Sequence, residues 1–153
     1  MKKKIILILL MTILVFYGTL ILYNQNSESL VSGVKDEKLA ECPESPNCVS
    51  TQTEDNTKKM EPIAYIISNE EVMEIMVQVI NEMSGTKIMI QDSNYLHVTF
   101  TTRFLRFVDD VEFYFDEQNK LIHFRSASRT GYSDMGVNQE RMVEIRERFL
   151  NEI

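Results

Sequence analysis

An α+β domain of two layers, carried behind one N-terminal apolar helix, is the fold this sequence predicts, and three observations predict it. Apolar residues recur at helical spacing in "NEEVMEIMVQVINEMSG" and again in "NQERMVEIRERFLNEI". Between them the period changes from 3.6 to 2 over four short segments separated by turn residues. Helices laid on one face of about four antiparallel strands make a two-layer domain. At 153 residues the chain accommodates one modest domain of this kind.

The first element is "IILILLMTILVFYGTLILY", Ile5 to Tyr23, an uncharged run preceded by Lys2, Lys3 and Lys4. Its length is close to the roughly 20 residues that cross a hydrocarbon core as a helix. A cleaved signal peptide competes with a retained anchor. The run is followed by "NQNSESLVSG", without the small-residue pattern of a cleavage site, which favours the anchor over residues 1–23. A lipoprotein site at "LAEC" is rejected, because Glu41 stands where a small residue belongs. Lysines held inside place the rest of the chain outside the cytoplasm, as a single-pass protein of the cell membrane.

Charge narrows the partners. The chain carries −7, and without the three N-terminal lysines the remainder carries −10. Such a surface repels phosphate backbones and excludes nucleic acid as a partner. The apolar helix is the expected link to the membrane.

Residues 24–41 are polar and aperiodic and read as a linker. "CPESPNCVS" follows, then "TQTEDNTKKMEP", expected as an exposed loop. "IAYII" reads either as an edge strand or as an extended lead-in. The first domain helix carries Val72, Met76, Val79, Ile80 and Met83 on one face, with Glu70 and Glu71 near its positive end and Gly85 as its stop. The strands are "TKIMIQ", "YLHVTFTT", "VEFYF" and "KLIHFRSAS". In the final helix Met142, Ile145, Phe149 and Ile153 line one face, and Asn138 is placed to cap the start.

A turn centred on Gln118 and Asn119 sets a register in which Phe115 faces Ile122, Phe113 faces Phe124, Tyr114 meets His123 and Glu112 meets Arg125. One face of the sheet is then apolar and the other polar and outward. On an exposed face the Glu112–Arg125 pair contributes about 0.2 to 1 kcal/mol.

Cys42 and Cys48, the only cysteines, suit a disulfide closing a short loop rather than a metal site, since two ligands without a nearby histidine cannot build one. In the chain-entropy picture such a ring contributes roughly 2 to 3 kcal/mol. His97 and His123 fall on the polar side of their strands, as solvated neighbours. Asp109 and Asp110 are adjacent in a strand, so they point to opposite faces and cannot serve one site without a bulge. Asp109, on the core side, needs a partner, for which Arg129 and Ser128 are the nearby candidates.

"FRSASRTGYSDMGVNQER", Phe124 to Arg141, gathers arginines, serines and turn glycines. Gly131 and Gly136 suit unusual backbone angles, and Asp134 or Asn138 can bond local amides or cap a helix. No serine-nucleophile elbow or phosphate loop is present. Arginines with serines and glycine turns can hold a carboxylate or phosphate, so Arg125, Ser128, Arg129, Asp134, Asn138 and Asp109 form the candidate ligand set. A buried polar network fixing the strand-to-helix connection is the other reading of the same residues.

"CPESPNCVS", "FVDDVEF" and "RSASRTGYSDMGVNQERMVEIRERF" together resemble the family catalogued as domain of unknown function 1499, from Cys42 to the C-terminus. Thr51 and Thr130 are small departures. The resemblance implies an exported or membrane-anchored bacterial protein, and it carries no reaction, substrate or cofactor. The expected function is therefore a non-enzymatic envelope module over 42–153 that binds a small anionic ligand or an envelope protein. The alternative is an extracytoplasmic hydrolase or metal-assisted enzyme using Asp109 or Asp110 with Asp134 and His97 or His123. No cofactor and no dedicated metal site are expected.

Overall fold

The computed structural model describes residues 2–29 and 31–153. Met1, in the expected anchor, and Leu30, in the expected linker, lie outside the described residues. The apolar run forms α1, Lys2–Gln25, a helix of 24 residues and so about 36 Å long. It is long and apolar enough to cross a membrane. Its apolar side chains from Ile5 to Phe16 are all exposed.

The domain follows as β1 (Cys48–Ser50), β2 (Ile63–Ala64), α2 (Asn69–Glu82), β3 (Thr86–Gln91), β4 (Tyr95–Thr101), β5 (Val108–Asp116), β6 (Leu121–Ser128) and α3 (Val137–Glu152). The four strands expected from periodicity are β3 to β6, and all adjacent pairs are antiparallel. Two short strands enlarge the sheet: β1 and β2 both pair with the free edge of β6, so that "IAYII" does supply an edge strand at Ile63–Ala64. The β5–β6 register is the one that the turn residues predict, with Phe113 opposite Phe124, Tyr114 opposite His123 and Glu112 opposite Arg125. Asp116 secures that turn by accepting from the backbone and side-chain nitrogens of Asn119.

α2 begins at a capping box, in which Ser68 accepts from the Glu71 amide while the Glu71 carboxylate accepts from the Ser68 amide. Val72, Met76, Val79 and Ile80 of α2 join Met142, Ile145 and Phe149 of α3 over Leu96, Val98, Val111, Phe113, Ile122 and Phe124 of the sheet. Gly85, with φ 78°, turns the chain into β3, and a Cβ there would lie 2.5 Å from the Thr101 carbonyl oxygen. That approach makes glycine a steric requirement.

Three expectations are corrected. The polar face of the sheet is not outward: Asp110 and Glu112 are 0% exposed, Arg125 2% and His97 3%. Alternation in a strand distinguishes two faces but does not reveal which other segment covers one of them. Here the chain between α1 and β1 does so, with Leu39 buried against Tyr95 and Tyr114 and Val34 beside them. Gln52 holds that strap through its side chain, accepting from the Leu39 amide and donating to the Glu37 carbonyl.

The stretch "TQTEDNTKKMEP" is not a simply exposed loop either. Thr51, Thr53 and Lys58 are buried, and the Lys58 ammonium donates to the carbonyls of Pro43 and Glu44 at 2.6 and 3.1 Å. Orphan carbonyls of the cysteine loop recruit a cation that the sequence pattern assigns to solvent.

Finally, Asn138 does not cap α3. Gly136, at φ 88°, is the N-cap, and Asp134 takes the capping role by accepting from the amides of Gly136 and Asn138 at 3.2 and 2.8 Å. The Asn138 side chain is thereby released to point inward.

Candidate functional site

The residues singled out in the sequence lie on both faces of the β5–β6 ladder. On the helix side, Asp109 stands opposite Ser128 across the strands, but the cation that meets it is Arg141 of α3, not Arg129. Arg141 lies within the apolar stripe of α3, one position before Met142, and its guanidinium stacks 4.7 Å from the centre of the Phe100 ring. From there it also donates to the Ser126 hydroxyl at 3.1 Å and to the Asn138 carbonyl oxygen.

Asn138, 0% exposed, is the hub of this network. Its oxygen accepts from the Ser126 hydroxyl at 2.6 Å, and its amide nitrogen donates to the Asn47 carbonyl and the Ser128 hydroxyl, both at 3.1 Å. Asn47 in turn donates to the carbonyls of Gly131 at 2.8 Å and Ser128 at 3.3 Å, and accepts from Ser45 at 2.7 Å. The Cys42–Cys48 disulfide closes the loop that presents Asn47. Cysteine loop, acidic strand and arginine-serine strand, far apart in sequence, thus meet around one asparagine and one arginine.

The family model for DUF1499, described as a protein of unknown function, matches residues 38–149. The chain belongs to this family. No curated protein and no solved structure matches it. In this DUF1499 chain the stretches that carry the family resemblance are the ones that build the buried network just described.

The opposite face holds a second set of charges. Arg129 forks onto Asp110, with Nε to Oδ2 at 2.9 Å and a terminal nitrogen to Oδ1 at 2.7 Å. His97 Nε2 lies 2.8 Å from the same Oδ1. Arg129 also donates to the Ser27 carbonyl at 3.0 Å, which ties the sheet to the chain just after α1. Next to this set, Glu112 bridges Arg125 at 3.2 Å and the Tyr95 hydroxyl at 2.8 Å. Burial pushes the Glu112 carboxyl above its ordinary value, against the opposing pull of Tyr95 and Arg125. Burial, reinforced by Glu112, pushes the Tyr95 phenol up as well. Arg125 Nε is buried without a hydrogen-bond partner among the described residues.

The Glu112–Arg125 pair is therefore not a surface pair of a few tenths of a kcal/mol. Both members are desolvated, so removing one leaves a buried charge uncompensated, at a cost of about 3–5 kcal/mol.

His97 and His123 are not solvated neighbours. They sit on β4 and β6 with β5 between them, His97 opposite Glu112 and His123 opposite Tyr114. His123 stacks on Tyr114, with ring centres 6.1 Å apart, and its Nδ1 lies 3.2 Å from the Thr51 hydroxyl. Burial holds its pKa below 6.5, against the pull of Asp116. Since the folded state favours the neutral ring, this residue adds no cost above pH 6.5. It costs stability progressively as pH falls through 6.5 toward the depressed folded value. Urea midpoints measured between pH 7.5 and 5.5, a window chosen to bracket the ordinary histidine pKa of about 6.5, should fall less for His123→Gln than for the wild type.

Of the candidate ligand set, Asp109, Ser128 and Asn138 meet in the helix-side network, Arg125 and Arg129 lie on the strap-covered face, and Asp134 caps α3. No group of three or more histidine, cysteine or acidic side chains among the described residues is arranged to hold a metal. Arg141, Ser126 and Asn47 stood outside the ligand set although they belong to the same network. The available signal was the helical phase of α3, which puts Asn138 and Arg141 on the stripe of Met142, Ile145 and Phe149.

Proposed function

We propose that this DUF1499 chain is a membrane-anchored, extracytoplasmic binding module without catalytic activity. In this reading α1 is a retained anchor, supported by its length, its exposed apolar surface and the lysines that precede it. The disulfide is consistent with an oxidising compartment. The ligand is a small anion, a carboxylate or phosphate, taken on the strap-covered face by Arg125.

One observation carries the choice of Arg125. Its side chain is 2% exposed, yet Nε has no partner among the described residues. A buried donor left unmade costs about 1–3 kcal/mol, and an anion oxygen reaching it would recover that cost. Arg129, by contrast, is committed to Asp110 and Ser27 and acts as a clamp on the strap. Arg125 is 2% exposed, so the structure around it has to open for an anion to reach it.

The test is thermal unfolding of the full chain in detergent with inorganic phosphate, acetate or succinate. At a hundredfold excess over Kd a specific ligand stabilises by about 2.7 kcal/mol. A shift in the wild type that disappears in Arg125→Lys, which retains the charge opposite Glu112 but not the guanidinium donor, is the expected result. No shift with any anion, or an equal shift in both proteins, rejects the reading.

The second reading, an extracytoplasmic hydrolase, is favoured by the His97–Asp110 hydrogen bond beside Glu112, a base oriented by a carboxylate. It gains no support from Asp134, which caps a helix, or from Asp109, which faces the other layer. Turnover of ester or phosphoester substrates that is lost in His97→Gln at unchanged stability would favour it over the binding module.

A further inference from the structure

The β4–β5 connection has the sequence "TRFLRF", Thr102 to Phe107, and contains no acidic residue in a chain of net charge −7. Its neck is closed by two hydrogen bonds, from the Thr102 amide to the Phe107 carbonyl and from the Phe107 amide to the Thr102 hydroxyl, both 2.9 Å. Arg103, Phe104, Leu105 and Arg106 are therefore presented as a tip. Phe104 is 71% exposed and Leu105 37%. An arginine stands on either side of this apolar pair, and the Arg103 guanidinium lies 5.6 Å from the centre of the Phe104 ring.

The tip is held against α1 at two levels. The Asn24 side chain donates to the Leu105 carbonyl at 2.7 Å, and the Tyr17 hydroxyl donates to the Phe104 carbonyl at 2.6 Å. Tyr17 and Tyr23 are six residues apart on the helix, which is about 9 Å along its axis. Tyr23 closes the apolar run, so the Phe104 backbone lies roughly that far back along the run from its end, beside the half that follows the lysines at a distance. The Tyr17–Phe104 bond also satisfies a hydroxyl and a carbonyl that hydrocarbon would leave without partners.

We infer that this loop is a second membrane contact, in which Phe104 and Leu105 enter the acyl region of the extracytoplasmic leaflet beside α1 while Arg103 and Arg106 reach back to lipid phosphates. The inference rests on reading α1 as a retained anchor. It goes beyond that reading because it makes the folded domain itself a lipid-binding body with a fixed orientation on the bilayer. Apolar burial supplies the insertion, and the long arginine side chains keep their charge at headgroup level. A domain of net negative charge would otherwise be repelled by anionic lipid, so the two arginines place attraction where this loop meets the surface.

The chain contains no tryptophan, which provides a clean test. Three full-length variants, Phe104→Trp, Phe16→Trp and Leu150→Trp, are reconstituted into phosphatidylcholine–phosphatidylglycerol vesicles with and without bromine on the acyl chains. Phe16→Trp reports the anchor and Leu150→Trp, on an exposed position of α3, reports the aqueous side. Bromolipid should quench Phe104→Trp nearly as strongly as Phe16→Trp and leave Leu150→Trp unchanged. Quenching of Phe16→Trp without quenching of Phe104→Trp overturns the loop contact while the anchor stands. Absence of quenching in both overturns the anchor and the loop contact together. Adding Arg103→Glu and Arg106→Glu to Phe104→Trp should reduce its quenching, and undiminished quenching overturns the role given to lipid phosphates.

Discussion

Replacing Arg141 by methionine is expected to destabilise the domain by about 3–5 kcal/mol, because it leaves the Asp109 carboxylate buried without its cation. The methionine retains much of the apolar volume stacked on Phe100, so lost packing accounts for little of that effect. Asp109→Asn should cost less than Arg141→Met, since the guanidinium left behind keeps Ser126, Asn138 and the Phe100 ring as partners, whereas a carboxylate left behind has lost its cation. The double variant is expected to be more stable than the sum of the two changes predicts. A denaturation cycle on the full chain in detergent measures that coupling. Strict additivity would show that the two residues do not act as a pair.

Asn138→Ala is expected to cost about 3 kcal/mol or more and to loosen the cysteine loop. The asparagine side chain meets Asn47, Ser126, Ser128 and Arg141, and truncation strips one hydrogen bond from each of these buried groups and the only side-chain bond from the Ser128 hydroxyl, where a buried group left unpaired costs about 1–3 kcal/mol. The second effect is the more diagnostic one. With the Asn47 carbonyl left to the Ser128 amide alone, the loop closed by Cys42 and Cys48 should open locally more often, and reduction of the disulfide by dithiothreitol under native conditions should accelerate. Cys48 is 1% exposed and Cys42 half-buried in the intact fold, so a rise in the rate over that of the wild type reports opening. Lower stability with an unchanged reduction rate would mean that Asn138 does not anchor the loop.

Both predictions concern residues that resemblance to the family marks without explaining. Their role here is to join three segments through buried polar bonds: an asparagine at the N-terminal turn of a helix, an arginine one turn later, and the loop that a disulfide closes. A network of this kind is intolerant of partial loss, since each deleted group leaves a desolvated partner behind. Stability and abundance should therefore respond to the signature residues before any binding property does. Measurements of function in such variants need the folded fraction alongside.

What the sequence determined by itself is local. The positions of α2 and α3, the four long strands, the β5–β6 register and the disulfide follow from period, turn residues and cysteine spacing, all of which act between neighbours along the chain. The sequence also placed Asp109 and Asp110 on opposite faces, because strand geometry alone requires it. It did not determine which cation each would meet. Arg141 reaches Asp109 across 32 residues, and Arg129 ties the sheet to Ser27 across 102, contacts that exist only once α3 has docked and the strap has crossed the sheet. Periodicity is equally silent on cover: a polar strand face reads the same whether water or another segment lies on it. Only the tertiary structure decided that Glu112, Arg125 and His97 are enclosed, and that Phe104 and Leu105, apolar residues in a turn, are set beside α1. The physical reason is the same in each case. Burial and ion pairing depend on distance in space, and the hydrophobic pattern of a strand or helix records only its own two sides.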